Sequence, residues 1–422
     1  MPFTTFGLSD SLVQGVLATG YTVPTDIQSQ AIPPAVGGRD IIGCAQTGTG
    51  KTAAFVLPML DRISRERGSG KRVVKSLILT PTRELAVQIE RSILGHGRFL
   101  SLRTLAVYGG VSIDRQLNAL RRGVDIVVAT PGRLMDHMQR GTIDFRHVEV
   151  LVLDEADRML DMGFIRDVRR IVGALPKDRQ TMLFSATMPP EVKAISRGMQ
   201  KSPAMIQIGR LHNPIETVTQ HIHSVPKRHK MDLLLHLLGA EPMYSVLVFS
   251  RTKHGADRIR RRLERADVRA VSIHSGRSQS QRQRALDGFR DGRFQVMVAT
   301  DIAARGIDVQ GITHVVNFDV PAFAEDYVHR IGRTGRAAAT GDAITLVSED
   351  EREYLGKIEK FIGRTFSPRE YPGFVCPKSD SARPRRAGKS PSVRSRRKDA
   401  AASNTLRAVR GTRRRRSKRR TV

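Results

Sequence analysis

Short apolar runs alternate with longer amphipathic stretches along most of the chain, and a loop-like segment divides this alternation into two parts. Before that segment, the pattern predicts strands at residues 40–43, 76–80, 105–108, 126–129, 150–153, 182–184 and 205–208. After it, further strands are predicted at residues 221–225, 246–249, 270–273, 296–299, 314–318 and 343–347. Because strands that alternate with helices form parallel sheets covered by helices, the pattern predicts an α/β protein made of two similar units.

The same pattern predicts the boundaries of these units. We expect a first domain over residues 1–208, a short linker over 209–217 that contains an Asn-Pro pair, and a second domain over 218–366. From residue 367 onward the chain is rich in Arg, Lys, Ser, Ala and Pro, and it has too few apolar residues to fold alone. A disordered basic tail is therefore predicted over residues 367–422.

A glycine-rich segment follows the first predicted strand. Residues 45–52 read Ala-Gln-Thr-Gly-Thr-Gly-Lys-Thr, which is close to a phosphate-binding loop, although that loop usually has Gly where this chain has Ala45. Glycines let the backbone wrap a polyphosphate, Lys51 places a positive charge on the outer phosphates, and the Thr52 hydroxyl can ligate Mg²⁺. The predicted nucleotide contacts are Ala45, Gln46, Thr47, Gly48, Thr49, Gly50, Lys51 and Thr52.

Two adjacent carboxylates follow a later apolar strand. Residues 150–153 are apolar, and Asp154 and Glu155 come directly after them. Asp154 is expected to hold the Mg²⁺ shell, and Glu155 to orient and deprotonate the attacking water. Glycine-rich turns and acidic strand ends occur separately in many α/β proteins, but the two motifs together, in this order, predict a site that binds and hydrolyses a nucleoside triphosphate.

Polar segments follow nearly every predicted strand. In an open parallel sheet, ligands bind beyond the carboxyl ends of the strands, where loops and helix N-termini expose N–H groups. The segments lie at 81–85, 109–110, 130–133 and 185–187 in the first unit, and at 250–252, 274–276 and 300–308 in the second. Their Gly, Thr, Ser and Arg residues are suited to bind phosphate, so one edge of each unit is predicted to face a phosphate-rich ligand.

The second unit has no phosphate loop and no acidic pair in its sequence, but it carries three arginines at threefold spacing. Arg330, Arg333 and Arg336 lie around two glycines in the segment 327–336. In a chain that hydrolyses a triphosphate, such arginines suggest fingers that reach into a site built by the other unit. An ordinary basic loop is the alternative.

Net charge strengthens the expectation of a polyanionic partner. The 422 residues include 71 Lys plus Arg against 41 Asp plus Glu, a formal net charge of +30. Residues 367–422 hold 19 basic and 3 acidic residues, and the rest of the chain is basic as well. The tail is predicted to be a polybasic arm that raises nucleic-acid affinity, with a solubilising extension as the alternative.

Composition also argues against several classes of protein. The sequence has no run of about 18 apolar residues, so no membrane span is expected. The first basic residue is Arg39, which does not fit a secretory signal or a transit peptide. Cys44 and Cys376 lie far apart, which fits a reducing cytosol and argues against a cysteine-rich zinc site. We therefore expect a cytoplasmic protein.

With these motifs in order, the chain resembles the DEAD-box ATP-dependent RNA helicases and, within them, the bacterial RhlE type. The likeness covers about residues 3–365. Residues 154–157 read Asp-Glu-Ala-Asp, and Ala45 is the residue that this family has in its phosphate loop. The resemblance implies two tandem RecA-like domains, RNA helicase and ATP hydrolase activity, and ATP with Mg²⁺ as cofactors.

The resemblance implies further residues of the ATP site. Residues 20–28 resemble the family's adenine-reading segment, which implies that Gln28 bonds the adenine edge and that Tyr21 stacks on its face. Phe3 matches the isolated aromatic found upstream of that segment. In the second unit, the implied contacts are Asp308 at the ribose, His329 toward the phosphates, and Arg333 and Arg336 at the outer phosphate.

Coupling and RNA contacts are implied in both units. Ser185, Ala186 and Thr187 would couple the ATP state to unwinding, while Gln279 and Arg282 match the family's motif between its fourth and fifth blocks. The implied RNA backbone contacts are Pro81, Thr82, Arg83, Gly110, Thr130 and Arg133 in the first unit, and Arg251, Thr300 and Asp301 in the second.

Backbone contacts carry little sequence information, so we expect the protein to bind RNA without sequence specificity. We also expect a monomer. The RhlE resemblance implies a role in ribosome assembly or RNA turnover. Two other functions stay open at this point. One is an ATP-gated RNA clamp or annealing chaperone, and the other is a DNA helicase on the same paired framework.

Overall fold

Two parallel sheets form the core of the computed structural model, which describes residues 2–45, 48–65, 70–208, 218–304, 309, 311–335 and 341–374. Each sheet belongs to one predicted unit, and we call residues 2–208 the first lobe and residues 218–374 the second lobe. The predicted α/β fold with two parallel sheets is confirmed. The predicted linker at 209–217 and residues 375–422 of the predicted tail lie outside the described residues.

The first lobe contains a seven-stranded sheet with the order β3-β4-β2-β5-β6-β1-β7. Its strands are β1 (Ile41–Cys44), β2 (Ser76–Leu79), β3 (Thr104–Val107), β4 (Ile126–Ala129), β5 (Val150–Leu153), β6 (Gln180–Ser185) and β7 (Ala204–Gln207). Only β6 separates β1 from β5, so the segments that follow these three parallel strands meet at one edge of the sheet.

Helices cover both faces of this sheet. They are α1 (Asp10–Ala18), α2 (Asp26–Val36), α3 (Lys51–Arg65), α4 (Arg83–His96), α5 (Ile113–Arg121), α6 (Pro131–Gln139), α7 (Ala156–Asp161), α8 (Ile165–Gly173) and α9 (Pro190–Met199). Residues of α1 to α4 form one hydrophobic core with the sheet, and residues of α6 to α9 form another on its second face. Because both faces are covered, the central strands are continuously apolar rather than alternating.

The second lobe contains a six-stranded sheet with the order β10-β11-β9-β12-β13-β8. Its strands are β8 (Val218–Ser224), β9 (Val246–Phe249), β10 (Ala270–Ile273), β11 (Val296–Ala299), β12 (His314–Asn317) and β13 (Gly341–Val347). Its helices are α10 (Lys230–Ala240), α11 (Lys253–Arg265), α12 (Gln279–Arg290), α13 (Asp301–Ala304), α14 (Ala324–Ile331) and α15 (Arg352–Ile362).

The second sheet repeats the strand order of the first. Read from the same edge, β10, β11, β9, β12, β13 and β8 occupy the positions of β3, β4, β2, β5, β6 and β1, and the described residues contain no counterpart of β7. The segments that follow matching strands therefore hold matching places at the edges of the two sheets. Among the described residues, no helix is both long enough and apolar enough to cross a bilayer.

Folded structure continues past the predicted boundary at residue 366. Arg369 pairs with His223 in a parallel bridge beside β8, and its carbonyl oxygen accepts a hydrogen bond from the Ser224 N–H at 3.0 Å. The Tyr371 hydroxyl donates to a carboxylate oxygen of Glu241 at 2.7 Å, and the Phe374 ring packs near α10. These two aromatic side chains supply apolar surface, so the folded second lobe extends beyond the predicted boundary.

Candidate active site

The chain between β1 and α3 turns tightly around a buried amine. Gly48 and Gly50 have φ angles of 92° and 93°, which favour glycine because a side chain would be strained there. Lys51 is the first residue of α3, and its Nζ donates to the Ala45 carbonyl oxygen at 2.6 Å. The amine therefore lies against the loop that precedes it. Gln46 and Thr47, two predicted contacts of this loop, lie outside the described residues.

Gln28 of the predicted adenine-reading segment packs against the same loop. It is 1% exposed, and its Nε2 donates to the Gly50 carbonyl oxygen at 3.1 Å while its Oε1 accepts from the Thr25 N–H at 3.0 Å. The fit is close, because a Cβ on Gly50 would lie 2.5 Å from the Gln28 Nε2. Both ends of this amide are thus engaged within the protein, and Gln28 ties the segment to the loop.

Tyr21 is held at the surface by aromatic neighbours. Its ring is 40% exposed, meets the His96 ring edge-on at 5.0 Å between centroids, and lies 6.5 Å from the Phe3 ring. Burial lowers the pKa of His96 to about 4, so the imidazole packs as an uncharged ring at neutral pH. An accessible aromatic face held in this way is suited to stack on a flat heterocycle.

Asp154 and Glu155 follow β5, and both side chains are buried. Burial, helped by the neighbouring Glu155 carboxylate, raises the pKa of Asp154 to about 7, while the Lys51 amine acts in the opposite direction. A bound cation would favour the ionised form of this carboxyl. The oxygen donors of Asp154 and Thr52 fit Mg²⁺, which is held by one or two carboxylates together with substrate phosphates. The described residues form no cluster of three or more His, Cys, Asp or Glu side chains that could hold a metal ion.

Glu155 has a backbone conformation that few residues adopt. Its φ of 54° and ψ of 52° are left-handed, and α7 begins at the next residue. One turn later, Arg158 Nη1 lies 3.2 Å from Glu155 Oε2, with side-chain exposures of 2% and 7%. Arg158 has no role among the sequence-based predictions, although a Glu and an Arg three residues apart at a helix start could have indicated the pair.

The predicted coupling segment is joined to the acidic motif through Asp157. One carboxylate oxygen of Asp157 accepts hydrogen bonds from the N–H groups of Ala186 and Thr187, at 3.2 and 2.8 Å, and from the Thr187 hydroxyl at 2.9 Å. The Asp157 N–H in turn donates to the Ser185 Oγ at 3.1 Å. These hydrogen bonds join the acidic motif to residues 185–187.

Of the three arginines predicted as fingers, Arg330 and Arg333 differ from each other in their surroundings. Arg336 lies outside the described residues. Arg330 is buried, pairs with both carboxylate oxygens of Asp301 at 2.6 and 2.8 Å, and lies over the Phe249 ring. It therefore stabilises its own lobe and is not available as a finger. Arg333 is also buried, and its Nε donates to the His329 carbonyl oxygen at 3.3 Å.

A narrow cleft brings the two lobes together at the acidic motif. Arg158 contributes from the first lobe, and the residues that line the cleft from the second lobe are Phe249, Asp301, Ala304, Asp326, His329, Arg330 and Arg333. The structure thus places His329, near the end of α14, and Arg333, just after this helix, in the same cleft as the partner of Glu155. Asp308, a further predicted contact, lies outside the described residues.

A second contact between the lobes is a buried ion pair. Arg282 Nη2 lies 3.0 Å from Glu84 Oε2, and Gln279 Nε2 donates to Glu84 Oε1 at 3.2 Å. Gln279 and Arg282 belong to α12 of the second lobe, whereas Glu84 is the second residue of α4 in the first. Sequence gives no partner for Glu84, because the pair forms only when two distant helices meet.

The predicted RNA contacts of the first lobe lie together at one edge. They follow β2, β3 and β4, which are neighbours in the sheet. The Arg83 guanidinium lies so close to Gly110 that a Cβ there would be 2.0 Å from its Nη1. Arg133 donates to the Val111 carbonyl oxygen at 3.2 and 3.3 Å. Thr82 and Thr130 are the N-cap residues of α4 and α6, and Pro81 directly precedes Thr82.

The predicted RNA contacts of the second lobe follow β9 and β11. Arg251 is partly exposed, and its Nη2 lies 3.1 Å from both the Val320 carbonyl oxygen and Glu351 Oε1. Thr300 and Asp301 lie at the start of α13. The Asp301 carboxylate is paired with Arg330, so its charge is already balanced within the second lobe.

Comparison with known proteins finds one helicase domain in each lobe. The DEAD/DEAH box helicase pattern matches residues 25–195, and the helicase conserved C-terminal domain matches residues 229–338. An ATP-dependent RNA helicase CshA from Listeria monocytogenes is 43% identical over 370 residues, which cover 88% of this chain and 70% of the relative. The chain belongs to the DEAD-box helicases. A DEAD-box ATP-dependent RNA helicase CshA from Geobacillus kaustophilus is 40% identical over 85% of this chain and 76% of the relative.

Solved structures resemble this DEAD-box helicase over most of its length. S. cerevisiae Dbp5 bound to RNA and ADP BeF3 is 30% identical, with a TM-score of 0.78 over 87% of this chain and 95% of the other. A DEAD box protein from Methanococcus jannaschii is 36% identical but has a TM-score of 0.52, over 86% and 98% of the two chains. The more similar sequence thus gives the less similar structure.

The thiol beside the phosphate loop of this DEAD-box helicase is protected. Cys44 ends β1, and its Sγ donates to the Ala186 carbonyl oxygen at 3.5 Å. Burial raises the pKa of this thiol to about 11. Cys44 is therefore a packed, protonated strand residue at neutral pH.

Proposed function

We propose that this chain is an ATP-dependent RNA helicase that hydrolyses ATP in response to RNA and locally unwinds RNA duplexes or remodels ribonucleoproteins. The observation that carries the proposal is the cleft in which Arg158, the partner of Glu155, faces His329 and Arg333 of the other lobe. A hydrolytic site divided in this way can act only when the two lobes meet. Ligands that favour the closed arrangement therefore control its activity.

We propose the following roles for the ATP site. Lys51 and the loop before it hold the phosphates, Tyr21 stacks on the adenine, and Glu155 orients and deprotonates the attacking water. The backbone of Glu155, which is left-handed and followed at once by α7, fixes the carboxylate at the end of β5. Mg²⁺, when bound by Thr52 and Asp154, neutralises charge on the phosphates.

The second lobe completes this site in our proposal. Arg333 and Arg336 contact the outer phosphate, and His329 and Asp308 contact the nucleotide from the same side. RNA spans the two edges that carry Arg83 and Arg251. ATP and RNA each bind more tightly when the lobes are closed, so each favours the binding of the other. Closure that bends one strand away from A-form geometry releases its partner, and hydrolysis reopens the lobes.

Glu155→Gln tests the assigned base. Removal of the carboxylate should reduce RNA-stimulated ATP turnover at least a hundredfold, because proton transfer by a positioned base contributes about a hundredfold or more. Binding of ATP and RNA should persist, since the amide keeps the shape of the side chain. Turnover is measured by phosphate release with and without RNA, and binding by fluorescence anisotropy. Hydrolysis at the wild-type rate would remove Glu155 from this role.

Arg336→Ala tests the contribution of the second lobe. The variant should lose most ATP turnover although Arg336 belongs to the lobe without a phosphate loop, because stabilisation of the transferring phosphoryl group is worth about a thousandfold or more. Arg293→Ala, which removes an exposed arginine of the same lobe, is the matched control. Equal turnover in the two variants would refute the proposed finger.

Strand displacement distinguishes the proposal from its alternatives. A helicase separates a labelled RNA duplex in an ATP-dependent way, whereas an annealing chaperone accelerates duplex formation instead. The 19 basic residues within 367–422 favour annealing in principle, so both assays should be run with the full chain and with a chain that ends at residue 374. A DNA helicase would show ATP hydrolysis that single-stranded DNA stimulates more strongly than RNA.

We further propose a cytoplasmic monomer of the RhlE type that acts in ribosome assembly or RNA turnover, with domains at 1–208 and 218–366, a linker at 209–217, and a basic tail. The sequence motifs support this finer proposal, whereas the relatives described above carry the name CshA. Crosslinking the protein to its RNAs in cells tests the role. Recovery of neither ribosomal precursors nor decay intermediates would contradict it.

A further inference from the structure

The second lobe has a cavity at the position that corresponds to the ATP site of the first. β8 and β12 occupy the sheet positions of β1 and β5. After β1 the chain leads to Lys51 at the start of α3, and after β8 it leads to Lys230 at the start of α10. After β5 come Asp154 and Glu155, and after β12 come Phe318 and Asp319. A cavity of about 490 Å³ lies here, and its lining includes Lys227, Arg228, Lys230, Arg258, Arg262, Phe318 and Asp319.

This cavity cannot hydrolyse a nucleotide, because its counterpart residues are committed elsewhere. The Lys230 Nζ donates to the Phe318 carbonyl oxygen at 2.8 Å and pairs with the Glu351 carboxylate. Asp319 Oδ2 accepts from the Ser250 Oγ at 3.0 Å and from the Arg251 N–H at 2.8 Å. Phe318 replaces the carboxylate that would hold a metal. The segment between β8 and α10 contains no glycine to wrap a polyphosphate.

The cavity nevertheless keeps a positively charged wall. Lys227 and Arg228 come from the turn after β8, and Arg258 and Arg262 lie one turn apart on α11. All four side chains are exposed. Lys227 lies 2.6 Å from Asp350, and Arg262 lies 3.6 Å from Asp232, but exposed pairs of this kind are weak and exchange readily with another anion.

The position of this positively charged wall indicates which anion binds to it. Asp319 lines the cavity and also holds the backbone of Arg251, an implied RNA contact, so the cavity adjoins the proposed RNA edge of the second lobe. Phe318 is the aromatic residue of the lining, and it is 9% exposed, so the cavity offers little surface for a base to stack on. Its charged groups suit backbone phosphates.

We propose that this cavity binds phosphates of the RNA strand where it continues past Arg251, and so extends the RNA site of the second lobe. The inference rests on the proposed RNA-binding function. It assigns to α11 a role that its sequence alone does not indicate, since a helix with many arginines is usually a solvated surface. The cavity is then a nucleotide site that has lost its loop and its acidic pair but kept its affinity for phosphate.

Two double variants of the full chain test the inference. Arg258→Gln with Arg262→Gln removes two charges from the wall, whereas Arg261→Gln with Arg265→Gln removes two exposed charges from the same helix outside the lining. The dissociation constant is measured for oligouridines of graded length, with a non-hydrolysable ATP analogue, over a range of salt concentrations. The wall variant should bind long RNAs more weakly, and its salt slope should fall by about 1 to 2, because each phosphate contact on a single strand contributes roughly 0.7.

The length series and the control decide the outcome. The control variant should keep the wild-type slope, and the wall variant should match the wild type on RNAs too short to pass Arg251. Equal losses in both variants would show an effect of net charge alone and overturn the inference, as would equal losses at every RNA length. Competition by inorganic triphosphate at the wall, without an effect on RNA, would show a small-anion site instead. Failure of the wild type to bind RNA would refute the proposed function itself.

Discussion

Arg158 stabilises the buried Glu155 carboxylate. A buried carboxylate without a partner destabilises the folded protein by several kcal/mol, because the protein interior solvates the charge less well than water does. The ion pair at 3.2 Å supplies the counter-charge, and Arg158 also lines the cleft that faces the second lobe. The pair depends on α7 beginning directly after Glu155, which sequence patterns do not fix. The motif and the spacing of Glu155 and Arg158 can be read from the sequence, but the burial of the pair and its place in the cleft cannot.

His96 should make the stability of the first lobe depend on pH. Its pKa is lowered to about 4 in the folded protein, so the unfolded chain binds the proton more tightly. The contribution of the neutral ring is complete above the unfolded pKa of about 6.5 and is lost as the pH falls toward 4, by up to roughly 3 kcal/mol. Urea unfolding at a series of pH values should show this loss in the wild type and a smaller one in His96→Gln.

The exposed His254, changed to Gln, is the matched control for this measurement. The unfolding of this control variant should depend on pH in the same way as that of the wild type. If His96→Gln also followed the wild type, the lowered pKa of His96 would not contribute to the stability of the lobe, and another group would have to account for the loss.

At the scale of elements, continuous apolar runs were enough to predict the central strands. β4, β5, β9 and β11 begin and end at the predicted residues, because both faces of each strand are buried and polar residues begin where the strand stops. β8 begins earlier than predicted, at Val218, because this edge strand includes the polar Thr219 and Gln220. Its hydrogen bonds to β13, rather than its side chains, define its extent.

The phosphate loop should tolerate no side chain at Gly50. Gly50→Ala would combine a strained φ of 93° with a contact of 2.5 Å to Gln28 Nε2, and the displaced Gln28 would shift the adenine-reading segment. We expect the dissociation constant for ATP to rise at least tenfold, which corresponds to about 1.4 kcal/mol. Titration of a fluorescent ATP analogue measures this change.

Gly38→Ala tests the effect of backbone strain alone, without a steric clash. Gly38 also has a positive φ, 79°, but no atom lies within 4 Å of the place of its Cβ. This control should lower stability by roughly 1–2 kcal/mol without an effect on ATP binding. A similar loss of ATP affinity in both variants would mean that strain alone, and not the contact with Gln28, disturbs the site.

At the scale of the whole molecule, the pair between Glu84 and Arg282 links the lobes directly. Arg282→Gln would leave Glu84 buried against the other lobe without a counter-charge, which costs about 3 kcal/mol when the lobes meet. RNA-stimulated ATP turnover should therefore fall at least tenfold, while each lobe keeps its own fold. The exchange variant Glu84→Arg with Arg282→Glu should recover part of the loss. Phosphate release at saturating ATP measures both the loss in Arg282→Gln and the recovery in the exchange variant.

Arg284→Gln removes an exposed arginine two residues away on the same helix and should leave turnover unchanged. If Arg282→Gln behaved like this control, the buried pair would not contribute to closure. No pattern in the sequence predicts such a pair, because it joins residues almost two hundred positions apart whose helices meet only in the folded protein.

The two lobes have separate hydrophobic cores, and this makes their covalent connection important. Each lobe packs its own sheet between its own helices, and each holds part of the proposed catalytic machinery. Residues 209–217 join the lobes covalently, and a short tether commonly gives one half an effective concentration near the other on the order of 10⁻³ M. Two lobes made as independent polypeptides would hydrolyse ATP at a rate that rises with their concentration, as in a bimolecular reaction. For the connected chain we expect no such dependence, so its rate per molecule should be the same at low and at high protein concentration.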